Sequence, residues 1–443
     1  MAAGPKVGFL DDFDSDEVDG RDAGSERDWS GRWIAPAPRR RILVQICFWT
    51  FGATTLIALF TIIAWIIYPT TTLATPKPAE NAHNAIKVMV VGDSISQGHE
   101  GDYTWRYRLW QWFKDSGHED VAFVGPYNGT FPPLDLPRPP SWPPGEPSPG
   151  LITRDWGGYA TDVDPAWLEA GDNVHFAHWG RQGAQFRPII EDAVRQAQPD
   201  YVILALGFND LAWLYWPTDL VGIVQDLVTK VRAAKPDTKF AVGNVVQRLA
   251  FGGGPKLPEL TRTYNTMLED AIPQWSTDQS PVELVRMRES YECDPWGCPA
   301  AHDGLHPNAL GEYQIAKAFA RTLHEKYGLG SSNFTIPANI PPRPCAPPTN
   351  LKALVIPDAA TNGTTPNTAT IHLSWDRIYG AFGYYSQHQF TGGNWAVLPG
   401  LSEYSSVDKT AVGLGESWEM RVRTYCGDQQ PNSDWSSVVS VST

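Results

Sequence analysis

From residue 86 onward, short apolar runs rich in β-branched residues alternate with longer stretches whose apolar positions recur every three or four residues. The first run, Ile86-Lys87-Val88-Met89-Val90-Val91, reads as a buried strand of a parallel sheet. A helical pattern begins near Tyr103. A helix near 187–198, a strand at 200–206 and a helix near 220–234 follow. Then come a strand at 239–246, a helix near 258–275, a strand at 282–287 and a helix over 309–326. This alternation predicts an α/β domain over 86–329, with a parallel sheet covered by helices on both faces.

The pattern changes at both ends. Residues 42–68 carry no charge and exceed the roughly 20 residues that cross the hydrocarbon core of a membrane. Trp49, Trp65 and Tyr68 lie toward the ends of this run, as interfacial aromatics do. Arg39-Arg40-Arg41 precedes it and only Lys77 follows closely, so the positive-inside bias puts the N-terminus in the cytoplasm. The rest of the chain is then outside or in a secretory lumen. Residues 1–41 read as a disordered acidic tail and 69–85 as a Thr/Pro/Ala stalk. Residues 330–346 form a Pro-rich linker. Residues 347–443 turn to short alternating runs such as Thr370-Ile371-His372-Leu373-Ser374-Trp375, which suggests a β-sandwich.

A proline-rich insert runs over 132–149 and cannot pack as regular structure. Trp142, Trp156, Tyr159 and Trp167 lie in and around it. They read either as a rim that stacks on sugar rings or as a loop held by its own aromatics.

Composition narrows the possibilities. The chain has 443 residues, too many for one ordinary domain, and a net charge of −14 that argues against nucleic acid as a partner. Of five cysteines, Cys47 lies in the apolar span. The others can pair as Cys293–Cys298 and Cys345–Cys426, which fits an oxidising compartment. No histidine cluster stands beside them at zinc spacing, so no metal is expected. Asn128, Asn333 and Asn362 each open a glycosylation sequon beyond the span.

Four segments carry candidate chemistry: Gly92-Asp93-Ser94-Ile95-Ser96, Trp179-Gly180-Arg181-Gln182-Gly183, Gly207-Phe208-Asn209-Asp210 and Asp303-Gly304-Leu305-His306-Pro307. A serine hydroxyl needs an adjacent base and a third group to orient that base. Ser94 and Asn209 each follow a predicted strand, where open α/β sheets place their ligands. Asp303 and His306 are three apart, so the carboxylate can bond one ring nitrogen while the other faces a serine. Its charge would raise the His306 pKa against the effect of burial. Each segment alone also reads as a turn, a helix cap or a strand end; their joint occurrence in this order is what points to a site.

The four segments resemble the SGNH branch of the GDSL hydrolases over roughly 86–328. The resemblance implies a three-layer α/β/α fold with Ser94 as nucleophile, His306 as base and Asp303 as its orienting group. It also implies an oxyanion hole from the Ser94 and Gly183 N–H groups and the Asn209 amide, with no cofactor. Gly180 is the other glycine that could serve in the second segment. Gly92-Asp93-Ser94-Ile95-Ser96-Gln97-Gly98, Phe123-Val124-Gly125 and Asp303-Gly304-Leu305-His306-Pro307-Asn308 look most like carbohydrate esterase family three, whose members resemble acetyl xylan esterases. That likeness implies removal of small acyl groups, acetyl above all, from a carbohydrate. Pro347-Pro348-Thr349-Asn350-Leu351, Trp375, Tyr425 and Ser433-Asp434-Trp435-Ser436 resemble a fibronectin type III domain. Two other readings remain open. One is a lipase or lysophospholipase; the other is a surface adhesion or carbohydrate-binding protein with an idle hydrolase fold.

Overall fold

A computed structural model describes residues 85–118, 120–132, 157–250, 256–359 and 367–443. The expected tail, the apolar span 42–68 and the stalk up to residue 84 lie outside the described residues, as do residues 133–149 of the insert and Asn362. Among the described residues no helix is long and apolar enough to cross a membrane.

The first half of the described chain runs β1 (Ile86–Gly92), α1 (Ser94–Gln97), α2 (Trp105–Asp115), β2 (Val121–Val124), β3 (Tyr127–Asn128), α3 (Pro165–Glu169), β4 (Val174–Ala177) and α4 (Ile190–Ala197). It continues through β5 (Tyr201–Ala205), α5 (Phe208–Trp213), α6 (Pro217–Ala234), β6 (Lys239–Gly243), α7 (Leu257–Trp275), β7 (Val282–Val285), α8 (Met287–Ser290) and α9 (Ala309–Tyr327). The strands form one sheet in the order β3-β4-β1-β5-β6-β7, with β2 also beside β1. Every pairing is parallel except β3 with β4. β1 lies inside the sheet, and Val88, Met89, Val90 and Val91 are 0% exposed, which is why it reads as an unbroken apolar run. α9 crosses to α2 through Trp105 and Phe319, whose rings stack at 4.8 Å.

The strand expected over 239–246 ends at Gly243. Beyond it the Asn244 N–H still bonds the Val285 carbonyl at 3.0 Å, while its side chain accepts from the Arg288 N–H at 2.7 Å and donates to Glu289 at 2.9 Å. The same bond fixes the start of α8 where a longer seventh strand was expected.

The C-terminal region holds β8 (Lys352–Pro357), β9 (Thr368–Ser374), β10 (Gly383–Phe390), β11 (Ala396–Val397), β12 (Ser406–Gly413), β13 (Ser417–Tyr425) and β14 (Val439–Ser442). They make two antiparallel sheets, β11-β10-β13-β14 and β12-β9-β8. Alternate residues of both sheets, among them Ile371, Leu373, Met420 and Val422, share one core. Cys345 bonds Cys426, and Cys293 bonds Cys298. Cys345 precedes β8, so its bond ties the linker to the residue that follows β13.

Candidate active site

Ser94 opens α1 directly after β1. Asp93 caps this turn, its Oδ1 accepting from the Ile95 N–H at 3.0 Å. Gly92 is needed here because a Cβ would stand 2.3 Å from Ser96 Oγ and 2.9 Å from the Ala205 carbonyl. The buried Arg106 grips the far end of the turn, donating from Nε to the Ser96 carbonyl at 2.7 Å and from Nη2 to that of Gln97 at 3.2 Å. Gln97 in turn accepts from the Trp179 N–H at 2.6 Å, which joins the serine turn to the second segment.

The loop before α9 brings in the partners. His306 Nε2 lies 2.9 Å from Ser94 Oγ, across 212 residues of sequence, and His306 Nδ1 lies 2.6 Å from Asp303 Oδ2. The other Asp303 oxygen accepts from the backbone N–H groups of Leu305 at 3.0 Å and His306 at 2.8 Å, which fixes the carboxylate plane. Burial is the largest single influence and would depress the His306 pKa, but the surrounding carboxylates, Asp303 foremost, together hold the ring above its ordinary value. Burial pushes Asp303 up and its neighbour His306 pulls it down further, leaving it well below the usual carboxylate range. The base therefore has a fixed tautomer and a counter-ion, as proton transfer from a hydroxyl requires.

Asn209 is the second residue of α5, two positions after Gly207, whose φ of 115° suits only glycine. Its Nδ2 donates to the Arg181 carbonyl at 3.1 Å, leaving one amide hydrogen for another acceptor. The Ser94 N–H is a first-turn group without an intrahelical partner. Gly183 departs from expectation: its N–H donates to Asp210 Oδ2 at 2.8 Å. That donor is engaged because the aspartate following Asn209 points back under the second segment.

Two aromatics expected at a sugar-stacking rim do not reach the surface. Trp167 is 0% exposed, packed edge-on against Tyr107, Trp110 and Phe123. Tyr159 is 5% exposed, and its hydroxyl bonds Arg106 and the Asn173 carbonyl. Trp142 and Trp156 lie outside the described residues. Among the described residues of the α/β domain the exposed aromatics include Trp213 at 54%, Trp216 at 64% and Trp296 at 91%. Trp213 ends the helix that Asn209 enters, and a Cβ on Gly180 would meet its ring at 3.9 Å. Trp296 stands in the loop closed by Cys293–Cys298, next to the segment bearing Asp303. Nothing in their sequence surroundings marks these three as exposed.

Of the sequon residues, Asn333 is exposed and Asn128 is half-buried in β3. His302, Asp303 and His306 bring ligand-type atoms within 4.8 Å of one another. Both ring nitrogens of His306 already face Ser94 and Asp303, so a metal ion there would have to break the hydrogen-bond chain.

Residues 150–313 match the model of the GDSL-like lipase/acylhydrolase family. This part of the chain is similar to that family. The matched stretch contains Gly183, Asn209, Asp303 and His306, and β1 brings in Ser94 from outside it. The chain is a carboxylic ester hydrolase. Among solved structures, a carbohydrate esterase family 3 protein from Talaromyces cellulolyticus is 22% identical, covering 56% of this chain and 100% of its own, with a TM-score of 0.41. An acetyl esterase mutant with an acetate ion is 22% identical over 54% of this chain and 97% of its own, with a TM-score of 0.40. TesA is 17% identical over 54% of this chain and 98% of its own, with a TM-score of 0.35. No curated protein matches the chain by sequence.

Proposed function

We propose that this GDSL hydrolase removes small acyl groups, acetyl above all, from a carbohydrate through an acyl-serine intermediate. The observation that carries the reading is the continuous hydrogen-bond chain from Ser94 through His306 to Asp303. Ser94 Oγ attacks the ester carbonyl as His306 Nε2 takes its proton. The Ser94 N–H and the Asn209 amide hold the oxyanion. The alcohol leaves with the proton from His306, and water, activated by the same ring, then releases the acid.

The carbohydrate part rests on the likeness of the serine and histidine segments to family-three carbohydrate esterases. It also rests on the exposed rings of Trp213 and Trp216, close in sequence to the segment of Asn209, and of Trp296. Exposed apolar surface of this kind can mark a binding face. A second reading, hydrolysis of lipid esters, is favoured by Leu214, which is 66% exposed between Trp213 and Trp216.

The reading further includes a single membrane anchor at 42–68 with the N-terminus in the cytoplasm. The enzyme is then on the other side, and Asn128, Asn333 and Asn362 are glycan acceptors. The four- and three-stranded sheets of the C-terminal region support a fibronectin type III-like module.

The test is hydrolysis of p-nitrophenyl acetate and p-nitrophenyl octanoate by the compact unit Asn81–Thr443, with Ser94→Ala alongside. Acetate hydrolysis that vanishes in the variant is expected. Preference for octanoate would favour the lipid reading, and activity equal to the variant's on both esters would end the esterase reading.

A further inference from the structure

The C-terminal region reaches the candidate base through a column of flat side chains. Phe382, just ahead of β10, lies face to face with His302, with centroids 3.7 Å apart and planes 10° apart. His302 lies 5.9 Å and 21° from His306, and the far neighbour of His306 is Trp179, at 4.4 Å and 19°. The Arg343 guanidinium from the linker sits over the Phe382 ring at 4.1 Å and is itself bonded to the Asp102 carboxylate. Four near-parallel or capping groups, drawn from four separated stretches of chain, therefore line up with the His306 imidazole plane.

Polar bonds converge on the same residue. The His302 carbonyl accepts from the Tyr425 hydroxyl at 2.8 Å and from the Asp428 N–H at 2.7 Å, both in the C-terminal region. The His302 N–H donates to the His306 carbonyl at 2.9 Å. A Cβ on Gly427 would come within 3.0 Å of His302 Cβ, so the approach is as close as backbone allows. Residues 302–306 belong to no helix or strand; the α/β domain holds the middle of the segment, with the Leu249 N–H on the Gly304 carbonyl at 2.8 Å and the Tyr291 hydroxyl on that of Leu305 at 2.7 Å, and the C-terminal region holds the His302 end. A general base must be held within about 10–20° of its working orientation.

We propose that Phe382 and Tyr425 are positioning residues of the ester hydrolysis, so that the C-terminal region completes the active site by fixing His306 through His302. In this arrangement the second region is a structural part of the catalytic unit. The inference rests on the serine-esterase reading above.

The experiment measures kcat and KM for p-nitrophenyl acetate with the full chain and its Phe382→Ala, Phe382→Tyr and Tyr425→Phe variants. p-Nitrophenyl acetate is too small to reach the C-terminal region, so a mere binding role would leave its turnover unchanged. The expected result is a kcat about tenfold or more lower in Phe382→Ala with KM within about twofold, since small misplacements of reacting groups carry losses of this size. Phe382→Tyr, which keeps the flat ring, is expected to retain at least about half the activity. Tyr425→Phe, which removes one of two bonds to the His302 carbonyl, is expected to lose about two- to fivefold. Should Phe382→Ala not fold, Phe382→Leu keeps the bulk and loses the flat face, and the same loss is expected. A kcat for Ala or Leu within twofold of the parent, or an equal loss in Phe382→Tyr, would overturn the proposal while leaving the esterase intact. A parent chain no more active than Ser94→Ala would instead overturn the esterase reading and this proposal with it.

Discussion

The backbone N–H of Gly183 donates to the carboxylate of Asp210 at 2.8 Å, beneath the segment that ends at the candidate oxyanion hole. Asp210 thus braces the second segment, and the proposed mechanism assigns the polarising work to Asn209 and the Ser94 N–H. Asn209→Ala is expected to lower kcat about 10²–10³-fold with little change in KM, the size of effect that one oxyanion donor carries. A structure with a phosphonate on Ser94 checks the division of labour. Its phosphoryl oxygen should lie within hydrogen-bond distance of Asn209 Nδ2 and the Ser94 nitrogen, with Gly183 still on Asp210. An oxygen seated on the Gly183 nitrogen would restore the role that the sequence suggested for it.

Trp179 covers one face of the His306 ring, and its electron-rich face favours the imidazolium that forms when Ser94 loses its proton. Trp179→Leu keeps the site apolar but removes that attraction. His306 should then titrate lower, because burial, which depresses it, is opposed by less. The acid limb of kcat/KM is expected to move to lower pH, and kcat to fall by roughly tenfold or less. A limb that moved to higher pH would mean that Trp179 acts mainly by excluding water.

The parts of this site legible in the sequence are those that local chemistry writes down. Ser94 and Asn209 follow apolar strand runs, and Asp303 stands three before His306 in front of a long helix with Asn308 as its cap. Their convergence could be inferred because parallel sheets gather loops at one edge. Burial of single aromatics was not legible: Tyr159 and Trp167 share no period with their neighbours, and only the packing of α2 against them decides that they face inward. The contact of Phe382 with His302 was invisible for another reason. It depends on how two regions dock, and neither region's own pattern encodes that.

Asp93 is 2% exposed, and its Oδ2 has no hydrogen-bond partner among the described residues. Burial pushes its pKa up to about 7. The folded chain then keeps a proton that the unfolded chain releases near pH 4. The stability associated with the neutral acid is present below that pH and is lost as pH rises toward 7. Asp93→Asn keeps the cap on Ile95 and removes the titration. Urea unfolding at pH 4, 6 and 8 should show the variant gaining on the parent, by up to about 1.4 kcal/mol for each pH unit in that window. An advantage that shrank as pH rose would contradict a raised Asp93.

Trp213, Trp216 and Trp296 separate the substrate readings. A polymer chain needs contacts beyond the ester, whereas p-nitrophenyl acetate needs none. If the exposed rings carry sugar units, Trp213→Ala with Trp216→Ala should raise KM for acetylated xylo-oligosaccharides by about tenfold or more, as loss of aromatic anchors does at other interfaces. KM and kcat for p-nitrophenyl acetate should stay within about twofold, because neither ring touches Ser94 or His306. Trp296→Ala tests the third exposed ring, in a loop that the Cys293–Cys298 bond keeps closed. The lipid reading makes the opposite demand. The same substitutions would then weaken adsorption to phospholipid vesicles and turnover of octanoate, and leave the oligosaccharide constants alone. Because Leu214 lies between the two tryptophans, Leu214→Ser sharpens the contrast: a stacked sugar does not require that methyl-rich side chain, whereas an acyl interface does.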